Sequence, residues 1–152
     1  MNKGDVVPDF ELPDQTGTPR KLSEFLVQGP VVLFFYPAAM TYGCTKESCH
    51  FRDLAAEFAA VGAQPVGISA DTVEKQKQFD EKESLGFPLL SDPERVVAAQ
   101  LGAKRSVSFL KVKRITFVID TDRTILDVIH SEISMGSHAD KALALLKARR
   151  AA

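Results

Sequence analysis

The chain has 152 residues, 45% of them apolar, which is enough for one domain with a sizeable core. Lys+Arg 19 against Asp+Glu 20 leaves a formal net charge of −1, which argues against a nucleic acid or an acidic membrane as partner. The two cysteines do not make a disulfide scaffold, and in an untargeted chain they point to catalytic or redox use. The N-terminal stretch carries Asp5, Asp9, Glu11 and Asp14 and does not read as a signal peptide. The longest apolar run, near Val31–Tyr36, is too short to span a bilayer, so the expected compartment is the cytoplasm. No repeat or linker divides the chain, and one domain over 1–152 is expected.

Phe10-Glu11-Leu12 and Lys21-Leu22 flank a Pro- and Gly-containing turn and predict a short hairpin. Ser23 is placed to cap a helical turn through Glu24, Phe25 and Leu26, and Gly29-Pro30 breaks the chain after it. Val31 to Tyr36 has the length and composition of a buried strand. Phe51, Leu54, Ala55 and Phe58 then recur at helical spacing up to Val61, with Gly62 as the stop. Cys44 and Cys49 fall in or beside the first turns of that helix. A helix start offers unpaired N–H groups and the positive end of the macrodipole, which favour a thiolate. Cys44 is therefore a candidate nucleophile, with Thr41 three residues earlier to cap the helix or donate to the sulfur. The plainer alternative is that both cysteines are small buried hydrophobes.

Gln64 to Ala70 reads as a second buried strand, followed by a helix over about 72–85 with Asp71 and Glu74 as a capping box. Phe87 to Leu90 is a short apolar connection. Asp92 as N-cap and Pro93 at the first helical position predict a helix ending at Leu101-Gly102. Residues 103–113 read as a basic irregular connection, with Lys104, Arg105, Lys111 and Lys113 solvated. Arg114 heads a strand over Ile115–Ile119, and a second strand, Ile125–Ile129, follows across a polar turn. Ser137 is placed to cap a last helix through Ala139, Ala142, Leu143 and Leu146, with a frayed tail at 149–152. His130 and His138 read as surface residues or caps. His50 beside Cys49 raises a zinc site of Cys44, Cys49 and His50, weakened by its missing fourth ligand and unusual spacing.

From Val31 the order is βαβα, a connection and helix, then ββα. This is the layout of an α/β thioredoxin-like fold: a central mixed sheet flanked by helices, here with an N-terminal hairpin extension. In that layout the strand 115–119 runs antiparallel beside 31–36, which brings Arg114 toward Cys44. On its own, Arg114 could equally be a surface salt bridge with Glu47.

Pro37-x-x-x-Thr41-x-x-Cys44, with Glu47 three residues on, resembles the active-site motif of the peroxiredoxins. Its extension from Cys44 to Asp53, with four residues between the cysteines, resembles the peroxiredoxin Q or bacterioferritin comigratory subgroup. The resemblance runs from Asp5 to the last helix and includes the Gly4 to Asp14 opening and the Gly67 to Asp71 segment. It implies a thioredoxin-dependent peroxidase of the atypical 2-Cys kind, acting on hydrogen peroxide and organic hydroperoxides without metal or organic cofactor. Cys44 would become a sulfenic acid and Cys49 would resolve it as an intramolecular disulfide, which thioredoxin or a similar dithiol would reduce. Arg114 would lie against the reacting sulfur, Glu47 would orient Arg114, Pro37 would shield the pocket, and Thr41 would donate to sulfur or peroxide. Members with this spacing often act as monomers, and a dimer is also compatible.

The chain departs from the subgroup at Tyr42, where proline is usual. The five-residue offset between the cysteines makes a structural demand. On a regular helix it separates the Cα atoms by ~8–9 Å, beyond the roughly 4.4–6.8 Å of a disulfide, so the helix start must unwind before the bond forms. A thiol–disulfide oxidoreductase and a non-catalytic redox sensor are the competing readings. The first is disfavoured by the absence of Cys-x-x-Cys.

Overall fold

The computed structural model describes residues 1–105 and 111–151. Its element order is β1 (Glu11–Pro13), β2 (Pro19–Lys21), α1 (Leu22–Leu26), β3 (Val31–Phe35), α2 (Tyr42–Asp53), α3 (Ala55–Ala60) and β4 (Gln64–Ser69). There follow α4 (Val73–Glu83), β5 (Leu89–Ser91), α5 (Val96–Leu101), β6 (Ile115–Ile119), β7 (Ile125–His130) and α6 (Met135–Ala151). The expected hairpin is β1–β2, with Glu11 opposite Lys21. The main sheet has the order β5-β4-β3-β6-β7, parallel on the β5–β4–β3 side and antiparallel from β3 through β6 to β7. This is the mixed sheet of a thioredoxin-like fold.

Strand β3 lies at the centre and is buried on both faces, which explains its unbroken Val-Val-Leu-Phe-Phe run. Alternate side chains point to opposite faces. Val31, Leu33 and Phe35 join Val66, Ile68, Phe117 and Ile119 in the core beneath α1, α5 and the N-terminal segment. Val32 and Phe34, with Tyr36 just beyond the strand, join Phe51, Phe58, Phe79, Ala142 and Leu146 in the core beneath α2, α3, α4 and α6. Phe51 of α2 stacks on Phe34 with ring centroids 4.2 Å apart, and Phe58 stacks on Phe51 at 5.7 Å. Each such ring buries surface worth about 1.5–3 kcal/mol, so this ladder fixes α2 on the sheet. At the other end of β3, the carbonyl of Gly62 occupies the place of a Cβ on Gly29, 2.0 Å from where it would sit. Only glycine permits that approach, at φ 148.

Several expected local features are met by other groups. The helix expected from the cysteines to Val61 is two helices, broken at Leu54, whose N–H reaches both the His50 and Phe51 carbonyls. That shared bond tightens the turn and redirects the chain without a Pro or Gly. Cys49 consequently lies in the middle of α2 rather than near a helix start. Ser23 does not cap α1; its N–H and Oγ donate to Asp9 at 2.9 and 2.8 Å. Thr72, not Asp71, caps α4, accepting from the Lys75 N–H at 3.3 Å. Asp92 does bind the start of α5, taking the Val96 and Ala98 N–H groups at 3.0 Å. Pro93, however, lies in the turn before that helix, which begins only after Arg95 in the left-handed region.

Phe87 to Leu90 is not merely a connection, because Leu89–Ser91 forms an edge strand parallel to β4. Ser137 lies inside α6 and donates to the Ser134 carbonyl. Arg105 is not a solvated residue, since it pairs with Glu132. Positions 106–110 of the expected basic connection, and Ala152 of the tail, lie outside the described residues. Up to Ala151 that tail is helical rather than frayed, with Arg149 bound to Asp120 at 3.0 Å. Among the described residues no helix is long and apolar enough to cross a membrane.

Candidate active site

Cys44 sits in the first turn of α2, just beyond the carboxyl end of β3, and is fully buried (0% exposed). The intervening loop is held from below: Asp71 Oδ2 accepts the Ala39 N–H at 2.7 Å and the Ser69 hydroxyl at 2.7 Å. Met40 in this loop takes a left-handed φ of 64, unusual for a side chain of its size. Sequence reading placed no role on Ser69 and gave Asp71 only the capping of the next helix. Their only local signal is two polar residues at the end of the second buried strand.

The first ladder bond of α2 runs from the Thr45 N–H to the Thr41 carbonyl at 2.8 Å. The N–H groups of Tyr42, Gly43 and Cys44 therefore remain outside the helical ladder, and no described side chain caps them. Thr41 was expected to cap the helix or bind the sulfur. Its hydroxyl instead donates to the Ala38 carbonyl at 2.8 Å, which turns an acceptor lone pair toward its surroundings. The three free N–H groups make an anion-binding cradle at the sulfur.

Residue 114 directly precedes β6, and Phe35 pairs with Ile115 in the antiparallel register. That register delivers Arg114 to the end of β3, as expected from the topology. Arg114 Nη2 donates to Cys44 Sγ at 3.3 Å, and Nη1 donates to Glu47 Oε1 at 2.8 Å. Glu47 lies one turn after Cys44 and is fully buried, so this ion pair is no surface salt bridge. Burial works against the charge of Arg114, but Cys44 and Glu47 outweigh it and hold the guanidinium above its ordinary value. Burial raises Glu47 to about 8, against the pull of Arg114.

A second buried group went unrecognised in the sequence. His138 of α6, expected at the surface or as a cap, is fully buried with Nδ1 3.6 Å from Glu47 Oε2. Nothing local to Ser137-His138-Ala139 marks it, because its partners lie on α2, β6 and the loop before α6. Pro37 is half-buried at the end of β3.

Cys49 is a free thiol like Cys44, and the two share the unbroken helix α2. Its Sγ donates to Glu83 Oε2 at 3.5 Å, and Arg52 Nη1 donates to the Glu83 carbonyl at 2.6 Å. Burial, then the bond to Glu83, raises the Cys49 thiol above its ordinary value. A surface pocket lined by Lys46, Cys49, His50, Asp53, Gly136 and Asp140 opens beside it. His50, the third member of the zinc alternative, has its Nε2 2.7 Å from Asp140 Oδ1.

Gly43 has a positional role. A methyl there would lie 3.0 Å from Met135 Cε and 3.2 Å from Arg114 Nη2. Met135 can turn aside, but Arg114 is held at both ends of its fork. Gly43→Ala is expected to leave thermal stability unchanged or raised by up to about 1 kcal/mol, the helix-propensity gain. It should slow the reaction of the reduced protein with hydrogen peroxide about tenfold, because Arg114 is displaced from the sulfur. Thermal unfolding and stopped-flow kinetics would separate the two effects.

Residues 3–128 match the AhpC/TSA family. The chain is similar to the crystal structure of peroxidoxin BcpB from Mycobacterium tuberculosis, with 66% identity, a TM-score of 0.94 and 97% of each chain covered. It is 40% identical over 152 residues to peroxiredoxin Bcp of Escherichia coli, covering 97% of this chain and 96% of that protein. It also matches the bacterioferritin comigratory protein of Xanthomonas campestris, a structure concerned with alkyl peroxide reduction. There the TM-score is 0.84 at 28% identity, over 92% and 91% of the two chains.

Proposed function

This chain belongs to the AhpC/TSA family, in its peroxiredoxin Q and Bcp group, and we propose that Cys44 is the thiol with which it reduces hydroperoxides. It is a thiol-dependent peroxidase. The observation that carries the assignment of Cys44 is the Arg114 guanidinium, fixed by buried Glu47 and set 3.3 Å from a buried sulfur. Arg52, whose charge reaches Cys49, is bound to Asp53 and the Glu83 carbonyl rather than to the sulfur.

The Cys44 thiolate attacks one peroxide oxygen and the O–O bond breaks. The electron pair leaves on the other oxygen, which takes a proton and departs as water or an alcohol. Cys44 is thereby oxidised to a sulfenic acid. Arg114 and the free N–H groups of Tyr42, Gly43 and Cys44 hold the negative charge as it passes from sulfur to oxygen. Thr41, whose proton is given to Ala38, accepts the hydrogen of the incoming peroxide. Pro37 and the burial of Cys44 keep water from the sulfur.

Cys49 then attacks the sulfenic sulfur. The S–O bond breaks, water leaves and the Cys44–Cys49 disulfide forms. A dithiol of the thioredoxin type restores both thiols by exchange. The pocket beside Cys49 gives that donor its approach, and Tyr42, 85% exposed at the start of α2, offers it an apolar contact. The structure-related Xanthomonas protein reduces alkyl peroxides, and the same substrate class is assigned here alongside hydrogen peroxide. The whole chain acts as one domain, and a monomer contains every group used.

One equivalent of hydrogen peroxide should consume both thiols of the reduced protein. The alkylated, denatured product should have the mass of the monomer less two hydrogens. Two thiols still free after minutes would remove Cys44 from the role of nucleophile.

A further inference from the structure

The loop between β3 and α2 is gripped by a chain of hydrogen bonds that reaches it from α4 and β5. Gln76 of α4, fully buried, donates from Nε2 to the Leu90 carbonyl at 2.8 Å and to Ser69 Oγ at 2.9 Å. A carbonyl can only accept, so the Leu90 contact fixes which end of the amide carries the hydrogens. Gln76 Oε1 accepts in turn from the Tyr36 hydroxyl. Ser69 Oγ accepts from Gln76 and gives its own proton to Asp71 Oδ2 at 2.7 Å. The same Oδ2 accepts the Ala39 N–H, also at 2.7 Å. Each donor in this chain has its acceptor, so each side chain is held in one orientation.

The Ala39 N–H belongs to the peptide unit that joins Ala38 to Ala39. The other pole of that planar unit is the Ala38 carbonyl, which points the opposite way and accepts the Thr41 hydroxyl at 2.8 Å. Asp71 and Thr41 therefore hold the two poles of one peptide. A hydroxyl has one proton and two lone pairs. With its proton committed to Ala38, Thr41 meets anything else as an acceptor. Thr41 is exposed, so without that carbonyl its hydroxyl would turn to water. Met40 lies between them at its left-handed φ of 64, which a non-glycine residue keeps only where its surroundings fix the chain.

We propose that Asp71 is a positioning residue for the peroxide reaction: by holding the Ala38–Ala39 peptide through its N–H, it fixes the Thr41 hydroxyl as an acceptor for the hydrogen of the peroxide. This rests on the role given to Thr41 above. Asp71 itself bonds the loop and not the sulfur. Without its carboxyl the peptide is free to rotate, and the Thr41 proton would face the peroxide in place of a lone pair.

The test is a double-mutant cycle of Asp71→Ala and Thr41→Val, with Asp71→Asn as the conservative variant. The second-order rate constant of the reduced protein for hydrogen peroxide is measured by stopped flow, and each protein is melted. Thr41→Val should slow the reaction about a hundredfold and Asp71→Ala about tenfold, the effect of a misplaced group on a positioned reaction. In the Thr41→Val background, Asp71→Ala should cost less than about twofold, because the two act as one unit. Asp71→Asn keeps an acceptor for Ala39 and should recover most of the rate lost in Asp71→Ala. The cycle is repeated with Ser69→Ala, which unties Asp71 from the chain behind it, so that an unfolded Asp71→Ala protein does not decide the matter. Ser69→Ala should slow the reaction about threefold, and only where Thr41 is present.

Equal losses with and without the Thr41 hydroxyl overturn the proposal and leave Asp71 as a brace of the loop. So does an Asp71→Asn protein as slow as Asp71→Ala. A Thr41→Val protein that reacts at the wild-type rate removes the hydroxyl from the reaction, and the proposal with it, while Cys44 stands as nucleophile. A wild-type protein that does not consume peroxide overturns the assignment of Cys44 itself, and that result is read before any variant is considered.

Discussion

Arg114→Lys is expected to slow the reaction of the reduced protein with hydrogen peroxide by about a hundredfold to a thousandfold, the effect of removing one oriented donor from a developing oxyanion. The reason is geometric. Arg114 spends Nη1 on Glu47 and Nη2 on Cys44, and the planar fork holds both at once. A lysine ammonium is a single point of charge on a flexible stem and cannot span them. The side chain is only 7% exposed, so no water completes the missing contact and burial favours the uncharged amine. Glu47, relieved of its partner and already pushed up by burial, takes a proton rather than remaining an isolated buried charge. The fold should survive while the sulfur loses its counter-ion. Stopped-flow kinetics would check the rate, and circular dichroism the fold. A rate within tenfold of wild type would mean that the guanidinium does not act on the reacting atoms.

The second large effect concerns Cys49→Ser. This variant should react with the first equivalent of peroxide at close to the wild-type rate, yet lose steady-state turnover with a thioredoxin-type donor by about a hundredfold or more. Further peroxide should carry Cys44 from sulfenic to sulfinic acid, read as added oxygen atoms in the intact mass. The wild-type protein, in contrast, should lose helical signal in the far ultraviolet on oxidation and regain it on reduction. Both cysteines lie within the continuous helix α2, where a five-residue offset separates Cα atoms by ~8–9 Å. A disulfide requires roughly 4.4–6.8 Å.

Protonation gives a second reason for unwinding. Within the intact helix, burial and Glu83 keep Cys49 as a thiol, above its ordinary value. Release from the helix removes both influences and returns the thiol to a range in which it ionises more readily. The resolving step should therefore quicken as pH rises. The clamp that must open is visible: Cys49 and Arg52 both attach α2 to Glu83, at the end of α4. An oxidised protein with an undiminished helical signal would mean that the disulfide forms by some route other than this unwinding.

What was legible in the sequence follows from interactions close along the chain. The unbroken apolar run of β3, the 3.6-residue repeat after it and the hairpin with a proline on each side of its turn are local patterns that specify strand, helix and turn. They place Cys44 at a helix start and so give it free N–H groups whatever else the fold does. The approach of Arg114 to Cys44, 70 residues apart, was also accessible, because an antiparallel strand beside β3 begins where β3 ends.

The remainder was decided by packing between distant segments. Asp9 rather than a local cap holds Ser23, Asp71 leaves its helix to hold the loop before Cys44, and Glu83 meets Cys49 across two helices. A lone polar residue on an amphipathic helix carries no mark of what lies opposite. His138 reads as a surface residue or cap until α6 is laid against α2 and β6, when it becomes a buried neighbour of Glu47. The sequence by itself marked the candidate nucleophile and determined the sheet that presents it. Only the tertiary structure decided which buried charges surround that nucleophile, because desolvation belongs to an assembled interior and not to any stretch of chain.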